Sequence, residues 1–164
     1  MNTNGKETER KYLIKYPDLE LLGKKSFSVK EIVQTYLSSE KGIDRRVRSS
    51  RENGTVTYTF TEKRKITDLT RFEDEREISR EEYEALLTTA DGDFDPIYKT
   101  RYCIEAGERV AEVDVYKDVS DFAICEVELC DENESVTLPD CITLIREVSG
   151  EKKYTNRYMA KRNK

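Results

Sequence analysis

Charged residues alternate with other residues in short runs, and the alternation recurs along the whole chain. It runs through Glu7-Thr8-Glu9-Arg10-Lys11, Arg46-Val47-Arg48 and Arg71-Phe72-Glu73-Asp74-Glu75. It returns in Lys99-Thr100-Arg101, Glu112-Val113-Asp114 and Glu126-Val127-Glu128. In a β-strand, residues i and i+2 point to the same side. Each run therefore gathers its charges on one face; some faces are basic, some acidic, and the first carries both signs. Strands that share such a face have the makings of a site for a highly charged anion bound together with a divalent metal.

Two placements of these faces are open. The usual one puts the apolar residues inside and the charges in water. The grouping of signs favours the other. Arg46 shares a face with Arg48, Lys99 with Arg101, and Glu126 with Glu128, whereas a solvated sheet intersperses signs because neighbouring like charges repel. Amphipathic helices would then cover an apolar outer side while the charges line a lumen. Buried like charges are costly unless neutralised. Phosphate oxygens neutralise a Lys and Arg cluster, and a hard divalent cation neutralises a Glu and Asp cluster.

Composition narrows the chemistry. The 164 residues fit a single domain spanning 1–164. Histidine is absent, which excludes a Ser-His-Asp triad, a Cys-His pair and any His-ligated metal. A metal here must sit on oxygen ligands, which suits magnesium, manganese or calcium. Cys103, Cys125, Cys130 and Cys141 form no C-x-x-C pair, so reduced thiols are expected rather than a zinc site. The net charge of -5 argues against broad nucleic-acid binding. There is no apolar run of ~18 residues and no apolar core in the opening MNTNGKETER, so neither a membrane span nor a signal peptide is expected, and a cytoplasmic location follows by default.

Strands are predicted at 6–15, 43–50, 55–66, 70–78, 97–105, 109–117 and 122–130. Glu52-Asn53-Gly54 reads as a hairpin turn. A helix is predicted over 28–38, capped by Ser28 and Glu31, with Val29, Ile32, Val33, Tyr36 and Leu37 as its stripe. A second runs from Ser79 to Thr89, with Tyr83, Leu86 and Leu87 inward. Residues 134–146 read as irregular or as a short helix around Pro139. The tail from Tyr154 reads as a short terminal helix, and its basic end Lys161-Arg162-Asn163-Lys164 is expected to be disordered. The fold class is α+β: an antiparallel β-barrel of about eight strands forming a charged tunnel, with amphipathic helices packed outside.

The ordered set of motifs resembles that of the CYTH superfamily, the triphosphate tunnel metalloenzymes. It comprises Glu7-x-Glu9-x-Lys11, Tyr36 in Gln34-Thr35-Tyr36-Leu37, Arg46-x-Arg48, Lys63 and Arg71-x-Glu73-x-Glu75. Lys99-Thr100-Arg101-Tyr102, Glu112-Val113-Asp114, Glu126-x-Glu128 and Glu147-Val148-Ser149-Gly150 leading into Lys153-Tyr154-Thr155-Asn156 complete it, so the resemblance covers essentially the whole chain. The chain is most similar to the short bacterial inorganic triphosphatases. The resemblance implies a tunnel in which Lys11, Arg46, Arg48, Lys63, Arg71, Lys99, Arg101 and Lys153 hold a triphosphate. It implies Glu7, Glu9, Glu73, Glu75, Asp114, Glu126 and Glu128 as ligands for one or two Mg2+ or Mn2+ ions. Lys65 shares the parity of Lys63 and competes for its role. Glu7 and Glu128 on the metal side, or Tyr36 near Lys99, are the candidates for catalysis; Tyr36 could equally pack within its helix stripe. The partner is then a small triphosphate compound, with hydrolysis of tripolyphosphate as the leading reading. A class IV adenylate cyclase, a thiamine triphosphatase and a non-catalytic polyphosphate- or nucleotide-binding module are the alternatives. Short members often form dimers, so a homodimer is an expectation, although no interface is legible.

Overall fold

The computed structural model describes residues 5–162. Its frame is β1 (Lys6–Lys15), β2 (Ser28–Tyr36), β3 (Asp44–Glu52), β4 (Thr55–Lys65), β5 (Thr70–Ile78), β6 (Ile97–Ala106), β7 (Arg109–Tyr116) and β8 (Phe122–Leu129). These strands run in the order β5-β4-β3-β2-β6-β7-β8-β1, and β1 pairs back onto β5, so the sheet closes into an antiparallel barrel. One edge of β1 follows β8 from Thr8 to Lys15. Its other edge is divided: Lys6–Thr8 close the barrel on β5, and Tyr12–Ile14 pair with a further strand, β9 (Leu144–Glu147).

Closure explains the charged runs. The side chains of one parity point into the lumen, and those of the other carry the apolar surface outward. Tyr12, Ile14, Ala111, Val113, Val115, Cys125 and Val127 pack outside the barrel with Leu22 and Ile142. Leu22 belongs to α1 (Leu19–Lys25), capped by Asp18, whose side chain accepts from the Glu20 and Leu21 amides. On the opposite flank, Tyr83, Leu86 and Leu87 of α2 (Arg80–Leu87) cover Leu37, Val47 and Ile78. Ser79 caps α2 by accepting from the Glu82 amide, as predicted. Asn53 and Gly54, at φ 51° and 81°, form the hairpin turn between β3 and β4, where both central residues must adopt the left-handed conformation.

A third apolar cluster stops one end of the tunnel. Leu13, Tyr36, Tyr116 and Ile124 meet Val148 and Ala160 there. Ala160 lies in α3 (Asn156–Ala160), which follows a short 3-10 turn at Lys152–Tyr154.

Segment 28–38 corrects the sequence reading: it is a strand, not a helix. Its apolar residues fit a helical stripe, but Val29, Ile32, Val33 and Thr35 are β-branched and favour extended backbone. Without this segment β3 and β6 would have no partner between them. The helix of this region is α1, which lies before the strand and spans only Leu19–Lys25. The stretch 134–146 is irregular until β9 begins at Leu144. The basic end is partly ordered: Lys161 bridges to Phe94, and Arg162 pairs with Asp95 at 2.6 Å. Asn163 and Lys164, like residues 1–4 at the start, lie outside the described residues. The four cysteines are free thiols. No helix among the described residues is long and apolar enough to cross a membrane.

Candidate active site

Strand register assembles the lumen two residues at a time. Glu9 lies opposite Glu128 and Lys11 opposite Glu126 across β1 and β8. Lys63 faces Glu73 and Thr61 faces Glu75 across β4 and β5. Gln34 faces Arg48 and Tyr36 faces Arg46 across β2 and β3; Arg101 faces Asp114 across β6 and β7. The resulting cavity has a volume of about 990 Å³ and is lined by charged side chains of both signs.

One wall is acidic. Lys63 Nζ lies 2.9 Å from Glu7 and 3.7 Å from Glu73. Arg71 donates to Glu9 at 3.0 Å, and Lys11 lies 3.5 Å from Glu126. Burial, with Glu126 close by, pushes the Glu9 carboxyl up to about 8. Burial and the neighbouring Glu7 outweigh Lys63 and push Glu73 up to about 7. Burial acts on Glu7 and Glu126 too, but Lys63 draws the first below the usual carboxylate range, and Lys11 with Arg101 draws the second well below it. This wall is thus overcrowded with negative charge and holds protons in partial compensation.

The other wall is basic. Arg46 is 9% exposed, and its Nε is buried with no hydrogen-bond partner among the described residues. Arg48 donates to the neutral amide oxygen of Gln34 at 2.8 and 3.3 Å. Burial and the adjacent Arg46 and Arg101 push Arg48 down to about 10. An arginine with no carboxylate against its fork is equipped to receive an anion.

Most predicted residues meet in this cavity: Glu7, Glu9, Lys11, Tyr36, Arg46, Arg48, Lys63, Arg71, Glu73, Glu75, Arg101, Glu126 and Glu128 all line it. The structure chooses Lys63 over Lys65, which is exposed and paired with Asp68. Three predicted residues sit elsewhere. Lys99 and Asp114 point inward with Arg101 but are buried beneath it, their side chains 0% and 1% exposed, with Nζ 2.7 Å from the carboxylate. Asp114 is also gripped by Arg101 at 2.8 and 2.9 Å. Burial opposes its ionisation, yet Arg101 and Lys99 hold it down at about 2; its oxygens serve as a counter-ion. Burial pushes Lys99 down to about 7 despite Asp114. Lys153 is exposed, its ammonium over the Tyr154 ring, and Lys152 lines the cavity instead. The resemblance gave Lys153, but in the 3-10 turn Lys152–Tyr154 it is the neighbouring lysine that reaches the cavity.

Tyr36 lines the cavity from β2 rather than packing within a helix. Burial, with Asp44 nearby, raises its phenol well above the usual value. Sequence reasoning missed Gln34, Asp44 and Arg157. Gln34 and Asp44 were recoverable by extending the parity of Tyr36 and Arg46 along their strands. Arg157 comes from α3, stacks 4.3 Å over the Phe94 ring and lies 3.6 Å from Asp44; no alternation marks it.

Comparison with known proteins agrees with this geometry. The CYTH domain model matches residues 5–156. The inorganic triphosphatase NE1496 is 27% identical, with 94% of this chain and 93% of that one covered and a TM-score of 0.56. The PH1819 protein from Pyrococcus horikoshii OT3 shares the fold at 20% identity, covering 77% and 80%, with a TM-score of 0.62. A conserved protein from Pyrococcus furiosus does so at 18% identity over 77% and 80%, with a TM-score of 0.59. No curated protein matches the chain significantly. With a closed antiparallel barrel, a lumen of paired charges and a family model spanning nearly its full length, the chain belongs to the CYTH domain family.

Proposed function

We propose that this chain is a divalent-metal-dependent triphosphatase that releases orthophosphate from the end of a triphosphate, with inorganic tripolyphosphate as its preferred substrate. The observation that carries this reading is the pairing of two walls in one cavity. Among the described residues Arg46 and Arg48 form no ion pair with a carboxylate on one side, and Glu9 and Glu73 resist ionisation on the other. A cavity for an anion alone would not need the acidic wall. Membership of the CYTH family and the likeness to NE1496 support the same activity.

The acidic wall suits a hard cation. Its donors are all carboxylate oxygens, and their mutual repulsion is what a divalent charge relieves. Among the described residues no three carboxylates stand ready to enclose an ion, since Lys63, Arg71 and Lys11 hold Glu7, Glu9 and Glu126. Glu7, Glu9, Glu73, Glu126 and Glu128 are the residues that would hold one or two Mg2+ or Mn2+ ions. When bound, such an ion offsets phosphate charge and acidifies water.

The chain's own residues supply positioning. Arg46 and Arg48 would fork onto phosphoryl oxygens, with Lys11, Lys63 and Lys152 extending the cradle along the chain of phosphates; Arg101, its guanidinium already held by Asp114 and Glu112, would add positive charge beside them. Lys99 and Asp114 brace Arg101 from behind. The apolar stopper of Leu13, Tyr116 and Ile124 keeps bulk water from one end. For in-line phosphoryl transfer, such preorganised charge provides most of the rate. Because Tyr36 keeps its proton across the working range, it acts as a hydrogen-bond donor, and water activation falls to the acidic wall. Glu7→Gln, Glu128→Gln and Arg48→Ala should each abolish phosphate release while leaving the circular dichroism spectrum unchanged. Near-normal release by all three would overturn the site assignment.

A further inference from the structure

Gln34 is wholly buried between two members of the cavity wall. Arg48 donates to its Oε1 at 2.8 and 3.3 Å, and its Nε2 donates to the Tyr36 hydroxyl at 2.9 Å. The chemistry of the partners fixes this amide's orientation. A guanidinium can only donate, so the amide oxygen must face Arg48 and the amide nitrogen must face Tyr36. The Tyr36 oxygen therefore accepts from Gln34, and its own proton has to point elsewhere. Tyr36 borders the cavity, so that proton is available to an anion bound there.

We infer that Gln34 is a positioning residue that sets the polarity of the Tyr36 hydroxyl, presenting its O–H as a donor to the phosphoryl group while steadying Arg48. This deepens the triphosphatase reading and rests on it. The relay is short and rigid: Gln34 and Tyr36 share one face of β2, and Arg48 lies directly across on β3. One amide thus couples the orientation of a neutral donor to that of a charged one. The relay also explains why an amide stands between Tyr36 and Arg48, because any carboxylate at this position would accept from both neighbours and draw the Tyr36 proton away from the cavity.

That reversal supplies the test. Gln34→Glu preserves size and keeps an acceptor for Arg48, but turns Tyr36 into a donor to residue 34. The kcat and KM for tripolyphosphate with Mg2+ are measured for the wild type, Gln34→Glu, Tyr36→Phe and the double variant. The added negative charge acts in both backgrounds; the loss of the hydroxyl's polarity acts only where the hydroxyl exists. Gln34→Glu should therefore lower kcat by about five- to tenfold more in the Tyr36 background than in the Tyr36→Phe background, about one hydrogen bond's contribution. Equal losses in both backgrounds overturn the inference. If Gln34→Glu does not fold, the pH profile decides. Tyr36→Phe should lower kcat by a constant factor from about pH 6 to 10, as expected for a donor whose pKa lies above that range. Disappearance of a basic limb would mark Tyr36 as a titrating base and overturn the inference. Active wild type with additive losses counts against the relay alone; inactive wild type removes the triphosphatase reading and the relay with it.

Discussion

Glu9→Gln separates the stability of the barrel from its function. Glu9 is 9% exposed at the centre of the acidic wall, and its folded-state pKa stands at about 8 against the ordinary 4.5. A carboxyl whose pKa is raised on folding stabilises the native state below its unfolded value and loses that contribution as pH rises through the folded value. The window here runs from 4.5 to about 8. At about 1.36 kcal/mol per pH unit, the full displacement sets an upper limit of about 5 kcal/mol, and relaxation around the Arg71 pair reduces this to about 2–4 kcal/mol. In EDTA, the unfolding free energy of the wild type should thus fall between about pH 5 and pH 9. A neutral amide carries no such penalty. Glu9→Gln should unfold at a higher urea concentration than the wild type at about pH 9 and at a similar one at about pH 5. Addition of Mg2+ should restore the wild type at high pH by mass action and leave the variant unmoved. Phosphate release by the variant should be lost. A variant less stable than the wild type at high pH, with the same pH dependence, would refute the overcrowded-wall reasoning.

Other outcomes follow from particular residues. Lys99→Met removes the partner of a fully buried carboxylate; Arg101 still holds Asp114, so the cost should be about 2–3 kcal/mol in urea denaturation, below that of leaving a charge wholly unpaired. Gly54→Val places a β-branched side chain at φ 81° and should cost about 1–2 kcal/mol without changing the KM for triphosphate. Arg46→Ala should weaken tripolyphosphate binding at least about tenfold in titration calorimetry, since a charge-assisted contact contributes about 1.5–3 kcal/mol. Val47→Ala, in the fully buried contact under α2, should lower stability by about 1–3 kcal/mol while sparing activity.

Much of this molecule was legible in the sequence because a barrel strand repeats every two residues. Arg46 and Arg48, or Glu126 and Glu128, declare a shared face without knowledge of any partner strand, and once the sheet closes that face becomes the lumen. The reading failed where period alone could not decide. In 28–38, Ile32, Val33, Tyr36 and Leu37 satisfy a helical stripe as well as a strand buried on both faces, and only the neighbouring strands β3 and β6 settle it. Buried strands have no solvated face, so their polarity carries no alternation. The inward neighbours Lys99 and Asp114 show a different limit. Parity placed them correctly on the lumen side, but depth along the tunnel depends on barrel tilt and on the stopper formed by α3, neither of which is written locally. Arg157 reaches the cavity from outside the sheet altogether, so strand logic could not name it.

The most direct measurement is orthophosphate release from tripolyphosphate, ATP, thiamine triphosphate and long-chain polyphosphate, each with Mg2+, Mn2+ or EDTA. Rapid release from tripolyphosphate that stops in EDTA is the predicted result. Tight binding of tripolyphosphate with no release from any compound, with or without metal, would contradict the account and make the cavity a binding site only.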